Sequence, residues 1–118
     1  MSSRPLRHMA LREAMIAEKQ FLRRISKSKD NRQVRQLLLQ ASPKQIRILQ
    51  CLVITHMDDP IAIPIDKKNY RKLQAAGKIN MLTRNFAYVQ RLCPVDEARQ
   101  WLLKLGYSLR IFTQSVTG

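Results

Sequence analysis

The chain has 118 residues, with 22 Lys and Arg against 8 Asp and Glu, for a formal charge of +14. This length fits one domain, and 45% apolar residues supply a small core, which excludes a wholly disordered tail. Three Gly and five Pro exclude collagen-like and flexible-linker chains, and no run reaches the roughly 18 apolar residues of a membrane span.

Residues 6–28 read as one helix. Ala10, Leu11, Ala14, Met15, Ala17, Phe21, Leu22 and Ile25 recur at three- and four-residue steps on a broad apolar face, with Arg12, Lys19 and Arg23 on the other side. Asp30 with Gln33 three residues on is the pattern of a reciprocal N-terminal cap. Val34, Leu37 and Leu38 then give a short helix its apolar stripe, ending near Ala41. Ser42-Pro43-Lys44-Gln45 combines an N-cap, a Pro at the first helical position and a Gln at the third. The helix it opens runs to about Met57 and buries Ile46, Leu49, Leu52 and Val53 as the core helix, although Arg47, Gln50 and His56 interrupt its apolar run.

Pro60 and Pro64 forbid a helix over residues 58–65, which reads as an extended connection with Ile61, Ile63 and Ile65 alternating. Asp66 caps a helix through Ala76, with Gly77 as its stop, and Asn80 starts another carrying Leu82, Phe86 and Val89. Pro94, Asp96 and Glu97 suit the first turn of a last helix that stops at Gly106. Residues 108–116 fit either a short strand or a tail ordered only by contacts. The expected fold is mainly α: a small bundle of four to five short helices with the Pro-containing connection at 58–65. The chain divides into a basic N-terminal helix (1–29), a compact helical domain (30–106) and a C-terminal tail (107–118).

Charge is uneven along this plan. Residues 1–35 carry +7 and residues 66–91 carry +6, while residues 36–65 balance and residues 92–118 add only +1. A surplus of this size points to polyanionic partners. Lys67, Lys68, Arg71 and Lys72 fall on one side of a helix, where four cations repel one another unless an anion spans them. Lys78, Arg84 and Arg91 extend that surface. The plainer reading is a solvated helix face, and at this net charge phosphate binding outweighs it. Arg23, Arg24, Lys27, Lys29, Arg32 and Arg35 form a denser set across a helix junction, open to three readings: a second phosphate-tracking surface, a nuclear-import signal or solubilising charge. Tyr88 between Arg84 and Arg91 is the one stacking candidate among seven aromatics, so backbone-dominated, sequence-tolerant binding is expected.

Catalytic and metal readings find little support. Cys51 and His56 are five apart on one helix and diverge, and Cys93 and His8 lie in distant segments, so no metal ligand set is expected. Asp58 and Asp59 suit a turn, and neither they nor Asp96 and Glu97 have a nucleophile or glycine-rich loop beside them. The expectation is a non-enzymatic protein without a cofactor. Two cysteines without a disulfide framework and an N-terminus without an apolar stretch suggest an intracellular setting, nuclear or virion-associated. The expected partner is nucleic acid, DNA before RNA. The alternative is a structural protein docking on an acidic protein such as a capsid, or on a ribonucleoprotein.

Leu37-Leu38-Leu39-Gln40-Ala41-Ser42-Pro43, Ile63-Pro64-Ile65, Tyr70-Arg71-Lys72-Leu73 and Lys78-Ile79-Asn80-Met81-Leu82 follow one another in the order of a wider pattern. Through them, residues 35–92 resemble short basic proteins associated with the Polinton and adintovirus group of virus-like DNA transposons. The basic block is shorter than in that family, and its Gly-rich apolar C-terminus is missing. The resemblance implies a virion- or element-associated basic protein that accompanies packaged DNA.

Overall fold

The segment with the longest apolar run forms the centre of the molecule. The computed structural model describes residues 11–56 and 93–117, together with Lys68, Arg71 and Ala75. Among them the secondary structure is helical, without a strand: α1 (Leu11–Ala17), α2 (Lys19–Ser26), α3 (Asn31–Gln40), α4 (Pro43–His56), α5 (Val95–Leu105), a 3-10 turn (Gly106–Ser108) and α6 (Leu109–Thr117). The mainly helical architecture expected from sequence is the one observed. The connection at 58–65 and the helix from Asn80 lie outside the described residues.

Every residue of α4 from Ile46 to Ile54 is buried, as a helix wrapped on all sides requires. Its two polar members are reconciled with burial by a short chain of hydrogen bonds. Arg47 Nη1 donates to Gln50 Oε1 at 2.9 Å, and Gln50 Nε2 donates to Cys93 Sγ at 3.3 Å. The helix begins as the sequence predicts: Gln45 N donates to Ser42 Oγ (3.2 Å), and Ser42 N donates to Gln45 Oε1 (2.9 Å). Around α4 pack α1, α5 and α6, while α2 lies mainly on α6, and α3 on α5 and the 3-10 turn. Leu22, Ile25, Leu38, Leu49, Leu102 and Leu109 are fully sealed in the common core, each contributing about 1.5–3 kcal/mol by transfer from water.

The helix expected over 6–28 is broken. Within the described part, α1 stops at Ala17 and α2 starts at Lys19, although Glu18 N still donates to Ala14 O (3.0 Å) and Leu22 N to Glu18 O (3.1 Å). The apolar stripe of Leu11, Ala14, Phe21, Leu22 and Ile25 runs across the break, and Glu18 falls in phase with it. A carboxylate on that face needs partners. It finds them at the start of α4, where Gln45 Nε2 donates to Glu18 Oε2 at 3.0 Å and Lys44 Nζ lies 4.0 Å from Oε1.

Residues 109–117 form neither a strand nor a tail but α6, with Leu109 and Thr113 buried and Phe112 half-buried on one face. Its hydroxyls are absorbed by helix carbonyls: Thr113 Oγ1 donates to Leu109 O (3.3 Å), Ser115 Oγ to Phe112 O (2.7 Å) and Thr117 Oγ1 to Thr113 O (2.8 Å). Before it, Gly106 closes α5 at φ +53°, and a Cβ there would overlap Asn31 Oδ1, which accepts a hydrogen bond from Tyr107 N at 3.1 Å. That contact ties the first residue of α3 to the C-terminal half.

Candidate nucleic-acid interface

Between α2 and α3 lies an open groove of about 510 Å³. One wall is the outer face of α2, with Gln20, Arg23, Arg24 and Lys27. The other is α3, with Gln33, Gln36, Leu37 and Gln40, and Ser28 lies between the two. Both walls follow from helical spacing: each set occupies i, i+3, i+4 and i+7, which places four side chains along about 10 Å of helix. The opposite faces carry Phe21, Leu22 and Ile25 on α2 and Val34 and Leu38 on α3, all buried. Core stripe and groove wall are the two sides of the same amphipathic helices.

Basic residues in the last turn of a helix have a structural explanation, because they complement its dipole. Here the terminal carbonyls of α2 are satisfied by other groups. Lys27 N donates to Arg23 O (2.9 Å), Ser28 Oγ to Arg24 O (2.8 Å) and Ser28 N to Ile25 O (3.2 Å). Ser26 O accepts from Arg110 Nε (3.1 Å) and Gln114 Nε2 (3.2 Å) of α6. The charged ends of Arg23, Arg24 and Lys27 are therefore not needed as caps. Among the described residues none of the three makes an ion pair, and no carboxylate lines the groove.

The N-terminal cluster divides under this geometry. Arg23, Arg24 and Lys27 are brought together in the groove. Arg32 and Arg35 are exposed on α3 but share the neighbouring face with Leu39, which is 53% exposed. Of the second cluster, Lys68 and Arg71 are helical and exposed. Lys67, Lys72, Lys78, Arg84 and Arg91, with the stacking candidate Tyr88, lie outside the described residues. Of the groove's glutamines only Gln33 was singled out from sequence, and that as a capping partner, although Gln33, Gln36 and Gln40 repeat at i, i+3 and i+7 beside the Val34–Leu38 stripe. That spacing was the available signal.

Other cations are occupied within the fold. Arg99 of α5 donates from Nη1 to Leu38 O and, at 2.9 Å, to Ala41 O, closing the C-terminus of α3. Arg110 holds the end of α2 and lies over the Tyr107 ring, 4.5 Å from its centroid. Cys51 and Cys93 are buried thiols that form no disulfide. Burial pushes the Cys51 thiol up to about 12, with Arg47 only partly opposing it, so this sulfur is not an activated nucleophile. Among the described residues no group of three His, Cys, Asp or Glu side chains is placed to hold a metal ion, and no helix is long and apolar enough to cross a membrane.

No family model matches the chain, and neither the curated proteins nor the solved structures contain a match to it.

Proposed function

We propose that the protein binds nucleic acid non-enzymatically, through phosphate contacts made from the α2–α3 groove and the exposed cations around it. The supporting observation is the convergence of Arg23, Arg24 and Lys27 on a groove without a carboxylate, while the carbonyls at the end of α2 are satisfied elsewhere. Like charges held this close repel, and a phosphate backbone relieves the repulsion while releasing its own counterions. Arg32 and Arg35 on the adjoining face of α3 widen the footprint beyond the groove. The resemblance of residues 35–92 to short basic proteins of virus-like transposons fits a companion of packaged DNA, so duplex DNA belongs among the first ligands tested.

The test is a salt series with labelled oligonucleotides. With about six phosphates neutralised, log K against log salt falls with a slope near −5 on duplex DNA. Replacing Arg23, Arg24 and Lys27 with Gln makes the slope shallower by about 2.7 on duplex, since each lost phosphate contact contributes about 0.9. Binding that is flat in salt, or absent at low salt, refutes the proposal.

A further inference from the structure

The two walls of the groove differ in chemistry: α2 contributes cations, and α3 contributes primary amides. Phosphate binding requires only the first. We infer that the groove takes single-stranded nucleic acid, with the phosphates along Arg23, Arg24 and Lys27 and unpaired base edges against Gln36 and Gln40. This rests on the phosphate-binding reading above and assigns it a strand type and a base contact.

Width comes first. Packed helices lie about 8–10 Å apart, which is narrower than a double helix, so a duplex rides on the rim and leaves the amides unengaged. A single strand enters. A cavity of about 510 Å³ is in the range that encloses a small ligand, and the cationic wall runs along about 10 Å of helix.

Base chemistry comes second. Among the described residues the lining has no aromatic side chain, so bases are not held there by stacking on rings, the usual device of single-strand grooves. Leu37 offers an apolar contact. Gln36 and Gln40 each present a carbonyl acceptor and an amide donor, and neither side chain is hydrogen-bonded to a described residue. An amide of this kind pairs with an edge that offers a donor next to an acceptor. Each of the four bases has such an edge on its Watson–Crick side, open in a single strand and taken up by pairing in a duplex.

The experiment uses the full chain and fluorescence anisotropy with four probes of equal length at one salt concentration. These are a mixed-sequence single strand, an abasic strand with the same backbone, a duplex of the mixed sequence and polyglutamate. The mixed-sequence strand is expected to bind more tightly than the abasic strand or the duplex, with polyglutamate weakest. The double variant Gln36→Ala and Gln40→Ala is expected to lose about tenfold on the mixed-sequence strand and little on the abasic strand. Arg24→Gln with Lys27→Gln weakens both strands alike. Both pairs are exposed, and an unchanged far-UV spectrum confirms the fold. Equal binding of single strand and duplex, equal binding of mixed-sequence and abasic strands, or a loss on the glutamine variant shared by both strands, overturns the inference while leaving phosphate binding intact. Polyglutamate matching the strands overturns it in favour of an acidic peptide. Failure to bind any of the nucleic-acid probes removes both readings.

Discussion

Replacing Gly106 with alanine tests the contact that fixes the start of α3, and hence one wall of the groove. Gly106 sits at φ +53° and ψ −126°, a region that residues with a Cβ reach only under strain of about 1–3 kcal/mol. The new Cβ also overlaps Asn31 Oδ1, so the Asn31 amide must turn away and release Tyr107 N, at a net cost of about 0.5–1.5 kcal/mol. Together these put Gly106→Ala about 2–4 kcal/mol below the parent, a large share of a small domain's stability. Asn31→Ala alone loses only the hydrogen bond. In the double variant that bond is lost once and the overlap is gone, so its destabilisation falls short of the sum of the single ones by about 1 kcal/mol. Urea unfolding followed by the fluorescence of Trp101, which is 8% exposed in the core, and by far-UV dichroism reads all three proteins. Strict additivity, or a Gly106→Ala cost under about 0.5 kcal/mol, refutes the geometry on which the reasoning rests.

Two arginines separate structural from surplus charge. Arg99→Met removes a charged donor from Leu38 O and Ala41 O and is expected to cost about 1.5–3 kcal/mol in urea unfolding, whereas Arg24→Met in the groove stays within about 0.5 kcal/mol of the parent. Equal losses contradict that division. The Cys51 thiol supplies a pH test. Its folded value of about 12 lies above the ordinary 9.0, so the unfolded chain loses this proton first as pH rises. Its contribution is fully present below pH 9 and is lost between 9 and 12 at up to about 1.4 kcal/mol per pH unit. Cys51→Ala flattens that part of the stability curve, and parallel curves for the two proteins refute the assignment. The native thiol also resists alkylation at pH 8 and reacts once urea exposes it.

Helix starts were legible because caps are local. Asp30 and Ser42 each sit three residues before a Gln, and both accept the predicted backbone hydrogen bonds, although Gln33 reaches back to Lys29 N rather than to Asp30 N. The core face of α4 was legible from the spacing of Ile46, Leu49, Leu52 and Val53. That its other faces are buried too was not, because Arg47 and Gln50 look like solvent positions until Cys93, far along the chain, supplies a partner. The break at Glu18 has the same origin: its reason lies at Lys44 and Gln45, outside any local window. Residues 108–116 fitted a strand or a tail, and packing against α2 and α4 holds this stretch as α6 instead. The groove combines both kinds of information. Its cations stood out as a run, but only the pairing of α2 with α3 sets Arg23, Arg24 and Lys27 opposite Gln36 and Gln40 and turns Arg32 and Arg35 to the next face.

The occupied arginines sharpen the electrostatic argument. Arg47, Arg99 and Arg110 have partners, and those partners are a glutamine amide, backbone carbonyls, a phenol hydroxyl and an aromatic ring. Apart from Lys44 with Glu18, the ion pairs that ordinarily offset a positive surplus do not account for these cations among the described residues. Around these three arginines hydrogen bonds are satisfied without a carboxylate, and the net charge of +14 acts as self-repulsion in the free protein. Added salt screens that repulsion and raises the melting temperature of the free protein. A bound polyanion does the same job more effectively at low salt and is driven off as salt rises, so the stabilisation it provides shrinks. Melting curves with and without oligonucleotide therefore converge from opposite directions as salt increases: the free protein's midpoint climbs while the complex's falls. Midpoints that move in parallel mean that the cations are not held in mutual repulsion, and the groove then loses its reason to bind phosphate.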